Sequence, residues 1–381
     1  VPSIFSLILT LQKNWTIKLN QIFLILIIHN LNNKASNLCK NCCLVQEETA
    51  INKKVLLIVL LIYYVIEINI RIVLYLSIYL LIVHFFWFII LVQTFKGGIC
   101  VGTMLSFVNN KGGSTKTTST VNFAGAYAVK NPSKKVLIVE TDGQGNAALS
   151  YNVDTKDLEY TTYDIFMGNQ EAENCIVNAH MNIDMIPAND DMNFLEYDLM
   201  RLFERNYRQG KTLGSITSRY FNMIEGKFDK LKEKYDLIIF DTPPEIKAIT
   251  SSVLSVVDEV VIPYEADAFA VQGVVNIVKR INDIKENYNP KLNIAGLMAV
   301  KVDSRTKVHT TMINKMMRYA KKNNINHLLA EIPRSIRFAD AATFKGVPAT
   351  LKSGSRMSKF EKQYYVLLEE LINDGVLEGE Y

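Results

Sequence analysis

The sequence predicts an α/β fold in three layers, with helices covering both faces of a mostly parallel sheet. From Met104 onward, apolar runs of strand length alternate with amphipathic segments of helix length, which is the pattern of such a sheet. A loop rich in glycine and lysine joins the first apolar run to a helix-like run that includes residues 121–128. Loops of this kind, between a strand and a helix, are typical of phosphate-binding sites.

Seven apolar runs are the candidate strands of this sheet. Each is short and is bounded by polar or turn-forming residues, as buried strands are. Because no internal repeat or long low-complexity linker interrupts them, residues 104–381 are expected to form one compact domain. The runs are Leu105–Asn109, Val136–Glu140, Ile183–Pro187, Leu237–Asp241, Glu259–Pro263, Ile294–Val300 and Leu328–Ile332.

Residues 1–103 differ sharply in composition from the rest of the chain. They contain no Asp, hold four of the five cysteines, and carry 8 Lys and Arg against 3 Asp and Glu, whereas residues 104–381 carry 34 against 35. The net charge of the whole chain, +4, therefore comes from the first segment. Any binding of nucleic acid by the second segment has to rest on a local basic patch.

Residues 72–92 are almost entirely apolar and are long enough to span a bilayer. The residues favoured in 1–103 are those of AT-rich codons, the chain opens on Val1, and Met104 stands immediately before the first candidate strand. These features indicate that residues 1–103 are translated upstream sequence and not part of the native protein. A genuine membrane anchor within them is the alternative.

The loop between the first strand and the first helix can be interpreted as a phosphate cradle. Gly112 and Gly113 allow backbone N–H groups to approach phosphate oxygens without an intervening Cβ. Lys116 is placed to neutralise β- and γ-phosphates, and the Thr117 hydroxyl is placed to be a ligand of a bridging Mg²⁺. Thr118 is expected to serve the start of the helix.

The spacing of this loop departs from the common pattern G-x-x-x-x-G-K-[ST]. Asn110 and Thr115 stand where that pattern has its two glycines. The form that is matched is K-G-G-x-x-K-[ST], with an additional lysine, Lys111, ahead of the glycine pair. On this signature the chain resembles the ParA/Soj/MinD family of ATPases.

Two acidic segments follow the second and fourth candidate strands, at the edge of the sheet where α/β proteins bind ligands. Asp241 ends an apolar run, so a buried strand would hold its carboxylate rigidly near Mg²⁺. Asp142 lies in a segment that resembles the family's D-x-D-P-Q-G-N, with Glu140 in place of the first acid and Gly143 in place of the proline.

The resemblance covers residues 104–372 and implies a P-loop NTPase fold that binds ATP with Mg²⁺ and hydrolyses it slowly. In the family, the additional lysine reaches the nucleotide of a partner subunit, and the carboxylate matched by Asp142 orients the attacking water. The implied catalytic residues are Lys111, Lys116 and Asp142, and the implied metal ligands are Thr117, Asp142 and Asp241. The implied nucleotide-binding residues are Lys111, Gly112, Gly113, Ser114, Thr115, Lys116, Thr117, Thr118, Asp241 and Pro333.

ParA-like proteins form homodimers on ATP, bind DNA without sequence preference, and hydrolyse ATP when a ParB-type partner stimulates them. For this chain the resemblance implies a cytoplasmic, nucleoid-associated protein that segregates plasmid or chromosomal DNA. Contacts to DNA phosphates need only basic side chains on one surface. The candidate DNA-binding residues are Lys279, Arg280, Arg305, Lys315 and Arg318.

Two other functions use a loop of this form. A MinD-like positioning ATPase attaches to membranes through a basic amphipathic C-terminal helix, whereas residues 369–381 are acidic and would be repelled by anionic lipid. A genuine span within residues 72–92 would restore membrane association. An iron protein of nitrogenase type holds its cluster with several cysteines, and Cys175 is the only cysteine of residues 104–381.

Overall fold

The computed structural model divides the chain into two units, Val1–Lys96 and Gly97–Tyr381. In the first unit one helix, Ile62–Tyr79, is long and apolar enough to cross a membrane, by length and composition alone. The candidate span, residues 72–92, overlaps this helix over 72–79, and most of its remainder lies outside the described residues. The residues that the structure describes are 58–59, 62–72, 75, 77–79, 82, 85, 101–113, 115–210, 220–303, 305–334, 347–351 and 358–380.

The second unit is built around an eight-stranded sheet. Its strands are β1 (Thr103–Phe107), β2 (Val136–Glu140), β3 (Val177–His180), β4 (Ile183–Ile186), β5 (Leu237–Asp241), β6 (Glu259–Glu265), β7 (Asn293–Val302) and β8 (Ile332–Pro333). Their order is β3-β4-β2-β5-β1-β6-β7-β8, and every neighbouring pair is parallel except β3 and β4 at one edge. The mostly parallel sheet predicted from the sequence is confirmed.

Helices cover both faces of this sheet. They are α1 (Lys116–Lys130), α2 (Asn146–Ser150), α3 (Thr162–Met167), α4 (Leu195–Arg208), α5 (Asp229–Lys232), α6 (Ala248–Leu254), α7 (Ala270–Asn287), α8 (Lys307–Lys322) and α9 (Lys362–Asn373). Buried side chains of α1, α2 and α9 form one apolar core, and those of α3 to α8 form another. The three-layer arrangement is therefore also confirmed.

The alternation of side chains along the central strands separates these two cores. In β5, Leu237 and Ile239 belong to the core with α1, whereas Ile238 and Phe240 belong to the core with α7. All five residues of this strand are buried. This explains why the strand reads as a continuous apolar run, as strands covered on both faces do.

The last predicted strand, Leu328–Ile332, is largely wrong. The backbone N–H groups of Leu329 and Ala330 donate to the carboxylate of Glu370 in α9, at 2.6 and 3.0 Å. A side chain therefore takes the place of a neighbouring strand, and β8 is confined to two residues. The bounds of the other predicted strands agree with the structure within two residues.

The edge strand β3 was not predicted. It is only partly buried and pairs with β4 through a tight hairpin in which Met181 has a φ of +41°. A short edge strand with one exposed face lacks the continuous apolar run by which the central strands were found.

Gly125 marks a close approach between α1 and the segment Ala349–Leu351. A Cβ at Gly125 would lie 2.4 Å from Thr350 Oγ1 and 3.0 Å from Leu351 Cγ. We expect Gly125→Ala to lower the free energy of unfolding by about 1–3 kcal/mol because it overpacks this contact. Chemical denaturation of the full chain measures the change.

Gly273→Ala is the matched control, since Gly273 lies in α7 and a Cβ there would meet nothing within 4 Å. Replacing an open helical glycine by alanine ordinarily stabilises a helix by up to about 1 kcal/mol. Stabilisation by both substitutions would show that Gly125 is not in close contact.

Candidate nucleotide-binding site

The glycine- and lysine-rich loop leaves β1 and enters α1 beside the end of β6. Asn109 fixes its start, because its side-chain amide donates to the Pro263 carbonyl and its Oδ1 accepts the Lys111 N–H at 2.7 Å. Gly113 has a φ of +69°, in the left-handed region that glycine adopts without strain. The loop leads directly into the N-terminus of α1, which favours anions.

Thr115 adopts a left-handed backbone conformation, with φ +65° and ψ +19°, immediately before α1. β-Branched residues rarely adopt this conformation, which costs about 1–3 kcal/mol. Among the described residues its Oγ1 is buried without a hydrogen-bond partner. The loop thus has, at Thr115, a conformation suited to the glycine of the common pattern.

Asp241 is fully buried at the end of β5. Its Oδ1 lies 3.5 Å from Thr120 Oγ1, and the nearby Thr117 hydroxyl favours the charged form and so lowers its pKa. Its Oδ2 has no hydrogen-bond partner within the part of the chain that the structure describes. Burial raises the pKa of Asp241 to about 7, and the nearby Asp142 contributes to the increase. An unpartnered buried carboxylate oxygen is suited to a divalent cation.

Lys116 supplies positive charge next to these carboxylates. Its side chain is buried, and burial lowers its pKa, while Asp241 and Asp142 oppose that decrease. Lys116, Asp142 and Asp241 are far apart in the sequence, but in the fold they lie close enough for the two carboxylates to act on the charge of the lysine. A buried lysine that faces a cavity is a suitable partner for phosphate oxygens.

Lys111 is about half exposed, and two carboxylates of the same chain hold its ammonium group. Lys111 Nζ lies 2.9 Å from Glu265 Oε2 and 2.9 Å from Asp267 Oδ2. These hydrogen bonds raise the pKa of Lys111 above its ordinary value. The lysine is therefore charged and paired within its own chain.

Glu140 joins the Asp142 loop to the rest of the fold. Its Oε1 accepts the N–H of Ala147 at 2.6 Å, and its Oε2 accepts the N–H of Ala188 at 3.3 Å. These bonds fix the start of α2 to the segment that follows β4. Burial, together with the charge of Asp241, raises the pKa of Glu140 to about 8.

Gly143 is buried against a side chain from a neighbouring segment. A Cβ at Gly143 would lie 2.7 Å from Asn193 Oδ1 and 2.9 Å from Asn193 Cγ. Asn193 therefore occupies the space beside Gly143, the position at which the family pattern D-x-D-P-Q-G-N has proline.

The phosphate loop, Lys116 and Asp142 line a cavity of about 470 Å³, a volume typical of small-molecule sites. The sequence-predicted residues Lys111 and Asp241 are not among its lining residues, and Ser114 lies outside the described residues. The sequence-predicted residues that line the cavity are Gly112, Gly113, Thr115, Lys116, Thr117, Thr118, Asp142 and Pro333. The further lining residues are Asn146, Thr242, Pro244, Lys301, Ile332 and Arg334.

Sequence reasoning missed Lys301 and the carboxylate partners of Lys111. Lys301 is a lone charged residue in the otherwise apolar residues 295–302, and that interruption is the signal that could have found it. Glu265 and Asp267 lie just past the end of a predicted strand, where ligands bind in α/β sheets. Their place in the sequence does not indicate that both carboxylates form ion pairs with Lys111.

The candidate DNA-binding residues lie on α7, on α8 and in the turn between β7 and α8. Arg305 forms a bidentate ion pair with Asp303, with two contacts of 2.8 Å, and Arg280 pairs with Asp283 at 3.1 Å. The other three candidates are exposed and form no ion pair within the described part of the chain; they are Lys279, Lys315 and Arg318.

Comparison with known proteins identifies the family. Residues 102–294 match the AAA_31 family, described as an AAA domain. The chain belongs to this family.

Curated relatives of the chain include proteins of the ParA type. A ParA family protein of Mycoplasma pneumoniae is 29% identical over 279 residues, covering 71% of this chain and 97% of that protein. The sporulation initiation inhibitor protein Soj of Bacillus subtilis is 28% identical over 276 residues, covering 72% of this chain and 100% of Soj. The chain is therefore a ParA-type ATPase.

A solved structure with the same fold is cobyrinic acid a,c-diamide synthase from Mycobacterium smegmatis with a bound ATP analogue and magnesium. It is 23% identical, has a TM-score of 0.57, and covers 74% of this chain and 99% of its own. This likeness supports the fold of the ParA-type ATPase.

The strain at Thr115 gives a test of the loop in this ParA-type ATPase. We expect Thr115→Gly to raise the free energy of unfolding by about 1 kcal/mol, because glycine adopts the left-handed conformation without a Cβ clash. Thr118→Gly is the control, because Thr118 lies within α1 and glycine there should destabilise by about 1 kcal/mol. If both substitutions destabilise equally, Thr115 is not strained.

The raised pKa of Glu140 makes the stability of the ATPase depend on pH. Between pH 4.5 and about 8 the folded carboxyl keeps its proton while the unfolded one loses it, so stability falls as the pH rises. The slope is at most about 1.4 kcal/mol per pH unit. In magnesium-free buffer, the Tm of Glu140→Gln minus that of wild type should increase from pH 5 to pH 8. A constant difference would show that Glu140 is ionised throughout.

Proposed function

We propose that this ATPase partitions DNA, forming a homodimer on ATP and binding DNA without sequence preference. A DNA-bound ParB-type partner stimulates its hydrolysis of ATP. The observation that carries the proposal is the convergence of the phosphate loop, Lys116 and Asp142 on one cavity, with the buried Asp241 close enough to Lys116 to oppose the lowering of its pKa by burial. The additional lysine ahead of the loop, Lys111, is not among the residues that line this cavity. The names of its curated relatives, ParA family protein and Soj, support the same function.

In this proposal the cavity binds the triphosphate of ATP. The backbone N–H groups around Gly112 and Gly113, together with Lys116, hold the phosphate oxygens at the start of α1. Ile332 and Pro333 of β8 also line the cavity.

The oxygen donors beside the phosphate loop fit a magnesium ion. Asp241 Oδ2 is buried and unpartnered among the described residues, and the Thr117 hydroxyl lies near enough to the same carboxylate to lower its pKa. Hard oxygen ligands of this type suit Mg²⁺. When bound there, Mg²⁺ would neutralise negative charge on the phosphates.

Asp142 is the residue proposed to orient the attacking water. It lines the cavity opposite Lys116, and its Oδ1 accepts the Gln144 N–H at 3.1 Å, which fixes the carboxylate. A fixed carboxylate can accept a hydrogen bond from water and hold it in line with the terminal phosphate. Glu140 supports this geometry through its bond to Ala147 at the start of α2.

Lys111 is the residue proposed to act across the dimer. Its side chain is 52% exposed, so a second subunit can approach it. To reach the partner's nucleotide, the ammonium group has to leave Glu265 and Asp267. The phosphates of the partner's nucleotide offer it stronger negative charge than these two carboxylates.

The proposed contact with DNA is made by the exposed basic residues of α7 and α8. Three of these residues form no ion pair within the described part of the chain: Lys279, Lys315 and Arg318. Arg280 and Arg305 are each paired with a neighbouring aspartate. The first group is therefore expected to contribute more to phosphate binding. Binding to chromosomal DNA would make the protein cytoplasmic and nucleoid-associated.

DNA binding by the full-length chain tests this function. Fluorescence anisotropy with a nonspecific duplex should show binding with ATP and Mg²⁺ but not with ADP, and the affinity should fall steeply with salt. The double variant Lys315→Ala with Arg318→Ala should show a weaker dependence on salt. The negative slope of log K against log[salt] should become shallower by about 2, because each lost phosphate contact reduces its magnitude by about 0.9. Lys291→Ala, on the exposed turn before β7, is the control.

Two further variants separate the steps. Lys111→Ala should retain nucleotide binding but lose both the ATP-dependent dimer and DNA binding, whereas Lys116→Ala should lose hydrolysis. ATP hydrolysis with DNA and a candidate ParB protein measures stimulation. DNA binding that is independent of ATP and salt contradicts the partition function, and ATP-dependent binding to anionic vesicles in its place would indicate a MinD-like function.

A further inference from the structure

Lys301 lies at an irregularity in β7. Its φ is +52°, and the pairing of β7 with β8 shifts register between Val300 and Val302. A lysine in a left-handed conformation is unusual, and such bulges re-aim side chains beside functional sites. The bulge turns Lys301 towards the cavity, which its side chain lines.

The ammonium group of Lys301 lies beside the phosphate loop. Lys301 Nζ is 3.7 Å from the position that a Cβ of Gly113 would occupy. Gly113 belongs to the glycine pair whose backbone is proposed to hold phosphate. A positive charge at this distance from the loop is within reach of phosphate oxygens bound there.

Glu265 holds Lys301 and Lys111 with different oxygens. Its Oε1 lies 2.6 Å from Lys301 Nζ, and its Oε2 lies 2.9 Å from Lys111 Nζ. Burial alone would raise the pKa of Glu265, but its hydrogen bonds with the two lysines bring it below the ordinary value. An ammonium group has three donors, and within the described residues Glu265 uses one of those of Lys301.

We propose that Lys301 is a second phosphate-binding lysine of this cavity, acting within the same chain beside Lys116. It keeps its hydrogen bond to Glu265 and donates its other N–H groups to phosphate oxygens of a nucleoside di- or triphosphate. The inference rests on nucleotide binding in the cavity. It requires neither DNA nor a partner protein.

A different role for Lys301 would be to neutralise Glu265 and nothing more. The two roles make opposite predictions once Glu265→Gln is combined with Lys301→Met. If Lys301 binds phosphate, removing the charge of Glu265 frees the lysine and leaves nucleotide affinity unchanged or increased. If Lys301 only neutralises Glu265, Lys301→Met weakens binding solely because it leaves Glu265 unpaired, so the double variant Lys301→Met with Glu265→Gln regains wild-type affinity. If Lys301 binds phosphate, the double variant stays weakened, because the hydrogen bonds from Lys301 to phosphate are lost in it too.

Titration of the full-length chain with mant-ATP and mant-ADP in the presence of Mg²⁺ tests the proposal. Lys301→Met should weaken binding by about 10-fold to 100-fold, the effect of losing one charge-assisted hydrogen bond. Lys301→Arg should recover part of this loss because it restores the charge. Lys291→Met, a lysine on the exposed turn before the same strand, should bind as wild type does.

Binding by Lys301→Met at wild-type affinity would overturn the proposal, as would wild-type affinity in the double variant Lys301→Met with Glu265→Gln. Circular dichroism and Tm establish that each variant is folded, and Lys301→Gln replaces Lys301→Met if the latter does not fold. Failure of the partition function appears separately, as a loss of ATP-dependent DNA binding while the nucleotide affinities of the variants keep their predicted order.

Discussion

The alignment of three strand ends is the constraint on which the site depends. In the sheet β5 lies between β1 and β2, and the pairing sets Phe107, Asp241 and Glu140 on one row. The phosphate loop, the buried Asp241 and the segment of Asp142 therefore start from the same level of the sheet. A slip of one residue in β5 would point Asp241 towards the opposite face. Continuous burial of these strands fixes the register and hence the geometry of the cavity.

The charges at this row are not balanced within the described part of the chain. Asp241 and Glu140 are both buried, and burial raises the pKa of each, to about 7 and about 8. Lys116 is the nearest cation, and burial lowers its own pKa. Adding Mg²⁺ and phosphate would supply a partner to Asp241 and to Lys116, because the metal would bind the unpartnered carboxylate oxygen and the lysine would bind phosphate. The site is therefore best satisfied electrostatically when the nucleotide and the metal bind together.

The sequence predicted the fold class, most strands and most cavity residues, because each depended on local patterns. Apolar runs identified the central strands, and the K-G-G-x-x-K-[ST] spacing identified the phosphate loop. Long-range contacts were not predictable in this way. The shortening of β8 results from Glu370, which is about 40 residues away, and the bulge at Lys301 occurs where β7 pairs with β8, about 30 residues further along the chain. The contact of Gly143 with Asn193 likewise depends on packing between segments that are distant in the sequence.

Two carboxylates link nucleotide binding to the availability of Lys111. Glu265 forms ion pairs with both Lys301 and Lys111. Among the described residues, Asp267 forms an ion pair with Lys111 and with no other basic residue. Phosphate that accepts hydrogen bonds from Lys301 would weaken the attraction of Lys301 for Glu265 while their hydrogen bond is kept, so nucleotide in the same subunit would strengthen the pairing of Glu265 with Lys111. In the proposed dimer, release of Lys111 would then require the phosphates of the second subunit's nucleotide. The proposed dimer would therefore need nucleotide in both subunits, because the nucleotide bound to one subunit does not free that subunit's own Lys111.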